Sequence, residues 1–170
     1  MNILILNGSP RAEGSTSNMI EVFSKTAQKH GHQLSIFSVC RMNIHGCRAC
    51  GYCHREGNGT CLQQDDMQQI YHALNDTEML LLASPIYFCS FSGQFKCAID
   101  RLYAILYPSA PETLKKSVLF LSAAKPGMFT GAIFAYREYF IGQLGLQDCG
   151  IYTNQDRNSI PNVREFAASL

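Results

Sequence analysis

The sequence has no excess of charge of either sign. Its 14 basic and 13 acidic residues leave a formal net charge of +1. The basic residues are scattered, and no basic patch interleaved with aromatics appears, which argues against a nucleic-acid partner. Long apolar runs are missing too. The most apolar stretch, Met79 to Ala83, is far too short for a membrane-spanning helix. The opening MNILILNGSP lacks the basic start of a signal peptide. The expected compartment is therefore the reducing cytoplasm, where the 8 cysteines would be thiols or ligands rather than disulfides. There is no linker-like stretch, internal repeat or low-complexity segment. With 170 residues and 46% hydrophobic content, residues 1–170 can fill one substantial core and are read as a single domain. Also absent are a Walker A Gly-Lys-Ser/Thr, a G-x-G-x-x-G fingerprint, an ordered Ser-His-Asp set and an H-x-x-x-H pair.

Short apolar runs alternate with segments of helical period. Strands are expected at Ile3–Leu6, Leu34–Val39, Met79–Ala83, Val118–Leu121 and, more weakly, Cys149–Thr153. The first helix spans Ser15 to His30, with Ile20, Phe23 and Ala27 on one face, and Gly31 stops it. A second starts at Asp65, with Gln68 reaching back in a box-like cap. A third carries Phe95, Ile99, Leu102 and Leu106, a fourth starts at Thr130, and a short closing helix covers Val163–Leu170. Strands buried on both faces need helices above and below. The expected fold is a three-layer α/β sandwich on a five-stranded parallel sheet in the order 2-1-3-4-5.

Three loops at the strands' C-terminal edge carry the ligand argument. The first, from Gly8 to Ser17, follows a strand and opens a helix, so a phosphate there would meet unpaired N–H groups and the positive end of the dipole. Ser9, Ser15, Thr16 and Ser17 add hydroxyls and Arg11 a cation, a composition that suits one phosphate monoester. The same Ser, Gly and Pro content also suits an ordinary turn. The second loop, with Pro85, Ile86, Tyr87 and Phe88, is aromatic and can wall a flat ring; the third holds Ser122, Ala123, Ala124 and Lys125. Open α/β sheets bind ligands at this edge.

The long connection over residues 41–64 contains Cys47-x2-Cys50-x2-Cys53-x7-Cys61. Four thiolates so spaced can wrap a 4Fe-4S cluster, and Gly46, Gly51, Gly57 and Gly59 permit the wrap. Zinc competes for four thiolates, with His45 and His54 as further ligands, and a metal-free loop closing a pocket is the third reading. Cys40, Cys89, Cys97 and Cys149 lack ligand spacing and read as small buried hydrophobes, although Cys89 lies in the aromatic loop.

ILNGSPRAEGSTS, CRACGYCHREGNGTCLQQDDM and SPIYFCSFSGQFKCAIDR together resemble the flavodoxin-like NAD(P)H-dependent FMN reductases, especially their iron–sulfur flavoprotein branch. The resemblance spans nearly the whole chain. It implies FMN, with Ser9, Arg11, Ser15, Thr16 and Ser17 at the phosphate, Pro85 to Phe88 beside the isoalloxazine, and Ser122 to Lys125 as a third flavin-facing loop. Relatives often have glycines in that third loop. It implies a 4Fe-4S cluster on the four cysteines, and it makes Lys96, Asp100 and Arg101 helix and interface anchors. The implied activity is an FMN-dependent oxidoreductase moving electrons between NAD(P)H, or a ferredoxin-like donor, and a small acceptor. A cluster-free NAD(P)H:FMN or quinone reductase and a non-enzymatic flavodoxin-like carrier are the alternatives. A homo-oligomer, dimer or tetramer, is implied as well, with Tyr87 to Phe91 and the helix bearing Tyr103 and Tyr107 as contact surfaces.

Overall fold

The computed structural model describes residues 1–156 and 158–170. Its frame is a parallel sheet of β1 (Asn2–Asn7), β2 (Gln33–Ser38), β3 (Met79–Tyr87), β5 (Lys116–Ser122) and β6 (Gln147–Thr153), in the order β2-β1-β3-β5-β6. These five strands stand in the expected order. A sixth strand was not expected: β4 (Ser90–Phe91) folds back antiparallel on β3, pairing Tyr87 with Ser90. The aromatic stretch predicted as loop is therefore half strand and half hairpin.

The central strands are apolar on both faces, and their alternation divides the core in two. Leu4, Leu6, Leu80, Leu82, Leu119 and Leu121 pack on one side of the sheet. Ile3, Ile5, Leu81, Val118 and Phe120 pack on the other. On that second side lie α1 (Ser15–Lys29), through Met19, Ile20, Phe23 and Ala27, and α6 (Ser159–Ala168), through Val163 and Ala167. Phe23 sits at the centre of this layer, edge-on to Phe120 at 5.7 Å and stacked on Phe166 at 5.8 Å. The first side is covered by α2 (Met67–Leu74), α3 (Gly93–Arg101), α4 (Tyr103–Leu106) and α5 (Thr130–Tyr136). The result is the three-layer α/β sandwich of flavodoxin-like type.

Helix ends follow local chemistry, with some departures from the sequence pattern. Gly31 takes φ +82 just past α1 and ends it as expected. Asp65 does accept the Met67 N–H, at 3.2 Å. Gln68, however, donates to the Gln63 carbonyl at 2.9 Å instead of reaching back to the cap, so the box is not closed. The single helix expected from Phe95 to Leu106 breaks into α3 and α4 at Leu102. Thr130 begins α5 without capping it, and the helix continues in wider π-type turns over Arg137–Gln143.

Candidate functional site

Five connections leave the same edge of the sheet: those following β1, β2, β3, β5 and β6. The first is held from below. Gly8 N–H donates to the Ala83 carbonyl at 2.8 Å, and the Gly8 carbonyl accepts from buried Ser92 Oγ at 2.8 Å. A Cβ at Gly8 would stand 2.6 Å from Phe95, so only glycine lets the loop cross α3 so closely. The loop then turns upon the Arg11 carbonyl, which accepts from Ser9 Oγ at 3.3 Å and from Ser17 Oγ at 2.8 Å. Because α1 begins without a side-chain cap, the N–H groups of its first turn remain available to an anion.

Thr16, buried at the start of α1, shares a 2.7 Å hydrogen bond with Ser122 at the end of β5. That bond ties the first loop to the third across the top of β3. The third loop is fixed from its far side by residues the sequence reading missed. Asn154 accepts the Ala123 N–H at 2.9 Å and donates to the Ala123 carbonyl at 3.0 Å, while Gln155 donates to the same carbonyl at 2.9 Å. Only their position just after the last strand, at the ligand-bearing edge, could have drawn attention to them.

A cleft of about 460 Å³ opens between these loops. It is lined by Ser9, Arg11, Gly14, Ser15 and Thr16 from the first loop, Pro85, Ile86 and Tyr87 from β3, Ser122, Ala123 and Ala124 from the third loop, and Asn154 and Gln155. Ten of the thirteen residues expected at the cofactor thus meet in one place. Ser17, Phe88 and Lys125 do not line it. Ser17 faces a larger cavity of about 620 Å³ on the β2 side of the first loop, shared with Lys25 and Arg41. Phe88 is fully exposed at the hairpin tip, and Lys125 is exposed beyond the cleft. The smaller cleft is the better ligand site. It lies between β1 and β3, where the strand order reverses, and has an uncapped helix at one end and Tyr87 at the other. Its size is ordinary for a bound cofactor, for which cavities run from about 300 to 1,000 Å³.

The cysteine loop follows β2. Cys47 and Cys50 are exposed, and Cys53 and Cys61 are half-buried against the core. A short 3-10 turn spans Tyr52–His54, and the Arg55 guanidinium donates to the Cys50 carbonyl at 2.7 Å. The Ala49 N–H points to the Cys47 sulfur at 3.4 Å. Burial pushes the Cys53 thiol up, and charge on Cys61, Cys47 and Cys50 adds to the rise. Among the described residues no three His, Cys, Asp or Glu side chains stand at metal-ligating spacing. The two histidines are engaged elsewhere. His54 Nε2 donates to the Tyr103 carbonyl at 2.9 Å, with its ring edge-on to Tyr103 and Tyr107, and His45 Nδ1 lies 3.4 Å from Asp65. The remaining donor set is all thiol, which suits an iron–sulfur cluster better than a mixed zinc site.

The three expected anchors differ in kind. Lys96 and Asp100 form an exposed ion pair one turn apart on α3. Arg101 is instead wholly buried and paired with Asp65, whose side chain is only 4% exposed. Burial would raise the Asp65 pKa, yet hydrogen bonds from Arg101 and from the His45 and Met67 N–H groups outweigh it and hold the carboxyl below its ordinary value.

Residues 1–142 match the family model of the NADPH-dependent FMN reductases. Among curated proteins, an iron-sulfur flavoprotein of Archaeoglobus fulgidus is 32% identical over 56% of this chain and 42% of its own length. One of Methanocaldococcus jannaschii is 31% identical over 69% of this chain and 58% of its own. The chain thus spans about half the length of these curated relatives. Among solved structures, an NAD(P)H:quinone oxidoreductase from Methanothermobacter marburgensis superimposes with a TM-score of 0.75 at 18% identity, over 99% of this chain and 96% of the other. An FMN-dependent NADH-azoreductase from Bacillus anthracis, solved in complex with FMN, gives 0.72 at 12% identity over 99% of each chain. At these identities the two structures speak for the fold.

Proposed function

The chain belongs to the NADPH-dependent FMN reductase family, and from that premise we propose that it is an FMN-dependent oxidoreductase of the iron–sulfur flavoprotein kind, drawing electrons from NAD(P)H or a ferredoxin-like donor. The observation that carries the reading is the cleft between β1 and β3, with an uncapped helix at one end and a tyrosine wall at the other. Once bound, FMN supplies the hydride- and electron-transfer chemistry. The protein's work is to bind and orient it. The first turn of α1, Ser15 and Arg11 receive the phosphate. The Thr16–Ser122 bond keeps the two flanking loops at a fixed separation. Asn154 and Gln155 hold Ala123 and so fix the third loop at the side of the cleft. Tyr87 and Ile86 supply apolar wall, with Tyr87 43% exposed at the mouth.

In this reading Cys47, Cys50, Cys53 and Cys61 hold one 4Fe-4S cluster. Support comes from the all-thiol donor set and from the names of the curated relatives. A homo-oligomer is part of the proposal, because Tyr87, Phe88 and Phe134 leave aromatic surface beside the cleft. Among the described residues no helix is long and apolar enough to cross a membrane, and we read the protein as cytoplasmic. A cluster-free NAD(P)H:FMN or quinone reductase is the second reading, favoured by the absence of metal-ligating spacing among the described residues.

The test is direct. Purified protein should bind one FMN per chain and oxidise NADPH or NADH in the presence of a quinone or ferricyanide. Stoichiometric FMN without turnover from either nucleotide or from a reduced ferredoxin would return the chain to a carrier. No FMN at all would remove the proposal.

A further inference from the structure

Both ends of the cysteine loop converge on one buried side chain. Arg101 closes α3 and is 2% exposed. Its Nη1 donates to the His45 carbonyl at 3.0 Å and to Asp65 Oδ2 at 2.8 Å. Its Nη2 donates to Asp65 Oδ1 at 3.1 Å and to the Gln63 carbonyl at 3.3 Å. His45 lies just before Cys47 and Gln63 just after Cys61, so all four cysteines fall between the two carbonyls. Asp65 completes the ring by accepting the His45 N–H at 3.1 Å. Tyr71 fixes the guanidinium's own backbone, donating to the Arg101 carbonyl at 2.8 Å.

Burying a charged pair is costly, and an apolar pair of similar volume often serves a fold as well. Here, apart from Asp65, the guanidinium's partners are loop carbonyls, and none belongs to the sheet. We propose that the Asp65–Arg101 pair is a metal-independent clasp that positions the four-cysteine loop, fixing its entry and exit so that only local turns are needed to bring the thiols onto one centre. A ligand set held in this way loses less conformational freedom when metal binds. The Arg101 Nε, buried without a partner, leaves one donor in reserve at this junction. Arg101 is thus a positioning residue. Its role as clasp for a metal loop rests on the cluster reading above.

The experiment uses the full chain, metal-free and again after anaerobic reconstitution with ferrous iron and sulfide. Arg101→Lys keeps the charge but loses the planar fork that spans Asp65 and both carbonyls. Asp65→Asn removes the counter-charge. Amide hydrogen exchange over residues 46–62 of the metal-free protein should quicken by about tenfold or more in each variant, the ratio a lost charge-assisted hydrogen bond corresponds to. Exchange in β1 and β3 should stay unchanged. Chelator should strip iron from the reconstituted variants faster by a similar factor. Unaltered loop exchange in both variants overturns the clasp, whatever the metal content. A wild-type protein that takes up no iron sinks the cluster reading, and exchange alone then decides whether the loop is clasped. If either single variant fails to fold, the paired change of Arg101→Met with Asp65→Leu carries the same measurement on an apolar junction.

Discussion

Single side chains decide whether the two loops flanking the cleft stay at the right separation. Thr16 and Ser122 lie far apart in sequence, yet their hydroxyls meet at 2.7 Å. Thr16→Ala leaves Ser122 without that partner and removes a hydroxyl from the phosphate end of the cleft. FMN affinity should fall by about 1–3 kcal/mol, on the order of tenfold to a hundredfold, as read by quenching of flavin fluorescence on titration. An unchanged dissociation constant would place the phosphate elsewhere. Thr16 and Ser122 were legible in the sequence because hydroxyls beside a strand-to-helix turn have a stated use. Asn154 and Gln155 were not, because their task is to hold another loop's backbone, and no local pattern announces a partner so distant in the chain. Arg101 was legible as a residue of interest but not in its role. The family resemblance made it a helix and interface anchor, whereas it is buried in the subunit, where Asp65 and two loop carbonyls make its burial tolerable.

Among the elements, the β3–β4 hairpin departs furthest from local preference. Its two tip residues, Phe88 at φ 49 and Cys89 at φ 60, both lie in the left-handed region. Asn-Gly is the usual occupant of such a two-residue turn. Side chains other than glycine and asparagine bring a steric cost there, about 1–2 kcal/mol for each residue. The turn was invisible in the sequence for this reason: nothing in Tyr87-Phe88-Cys89-Ser90 signals a reversal. It forms because Ser84 Oγ accepts the Ser92 N–H at 3.1 Å, and because Gly131 leaves room for the Cys89 carbonyl, which a Cβ there would meet at 2.6 Å. Phe88 is fully exposed and Phe134, on the adjacent α5, is 65% exposed. An exposed aromatic held in a disfavoured conformation fits a contact residue better than a folding residue. Replacing Phe88-Cys89 with Asn-Gly should therefore raise the stability of the isolated subunit by about 1–2 kcal/mol in thermal unfolding. In light scattering at matched concentration, the same change should weaken self-association. Weaker folding together with unchanged mass would contradict both parts.

At the scale of the whole molecule, strand order puts two chemistries on one edge. β1 pairs with β2 on one side and β3 on the other, so the loops after all three strands emerge together. This much was readable from the sequence, because continuous apolar strands, intervening helices and right-handed crossovers leave few arrangements. Hidden from it was the division of labour along that edge. Every residue lining the cleft comes from the loops after β1, β5 and β6, from β3, from the end of β5 or from the first turn of α1, and none from the cysteine loop. The cysteine loop instead packs with Cys53 and Cys61 against the core shared by α2, α3 and α4. Two sites built from separate elements should be separable by mutation. Cys50→Ala, prepared anaerobically and reconstituted beside wild type, should lose the cluster's complement of about four irons per chain. Its FMN affinity should stay within about twofold of wild type, because no cysteine-loop residue lines the cleft and substitutions that share no partner act independently. Its NADPH-to-quinone turnover should also survive if the nicotinamide delivers to the flavin directly. Turnover that disappears with the iron while FMN stays bound would make the cluster an obligatory carrier in the electron path. A parallel loss of flavin and iron would mean the loop helps to build the cleft, contrary to the separation seen in the fold.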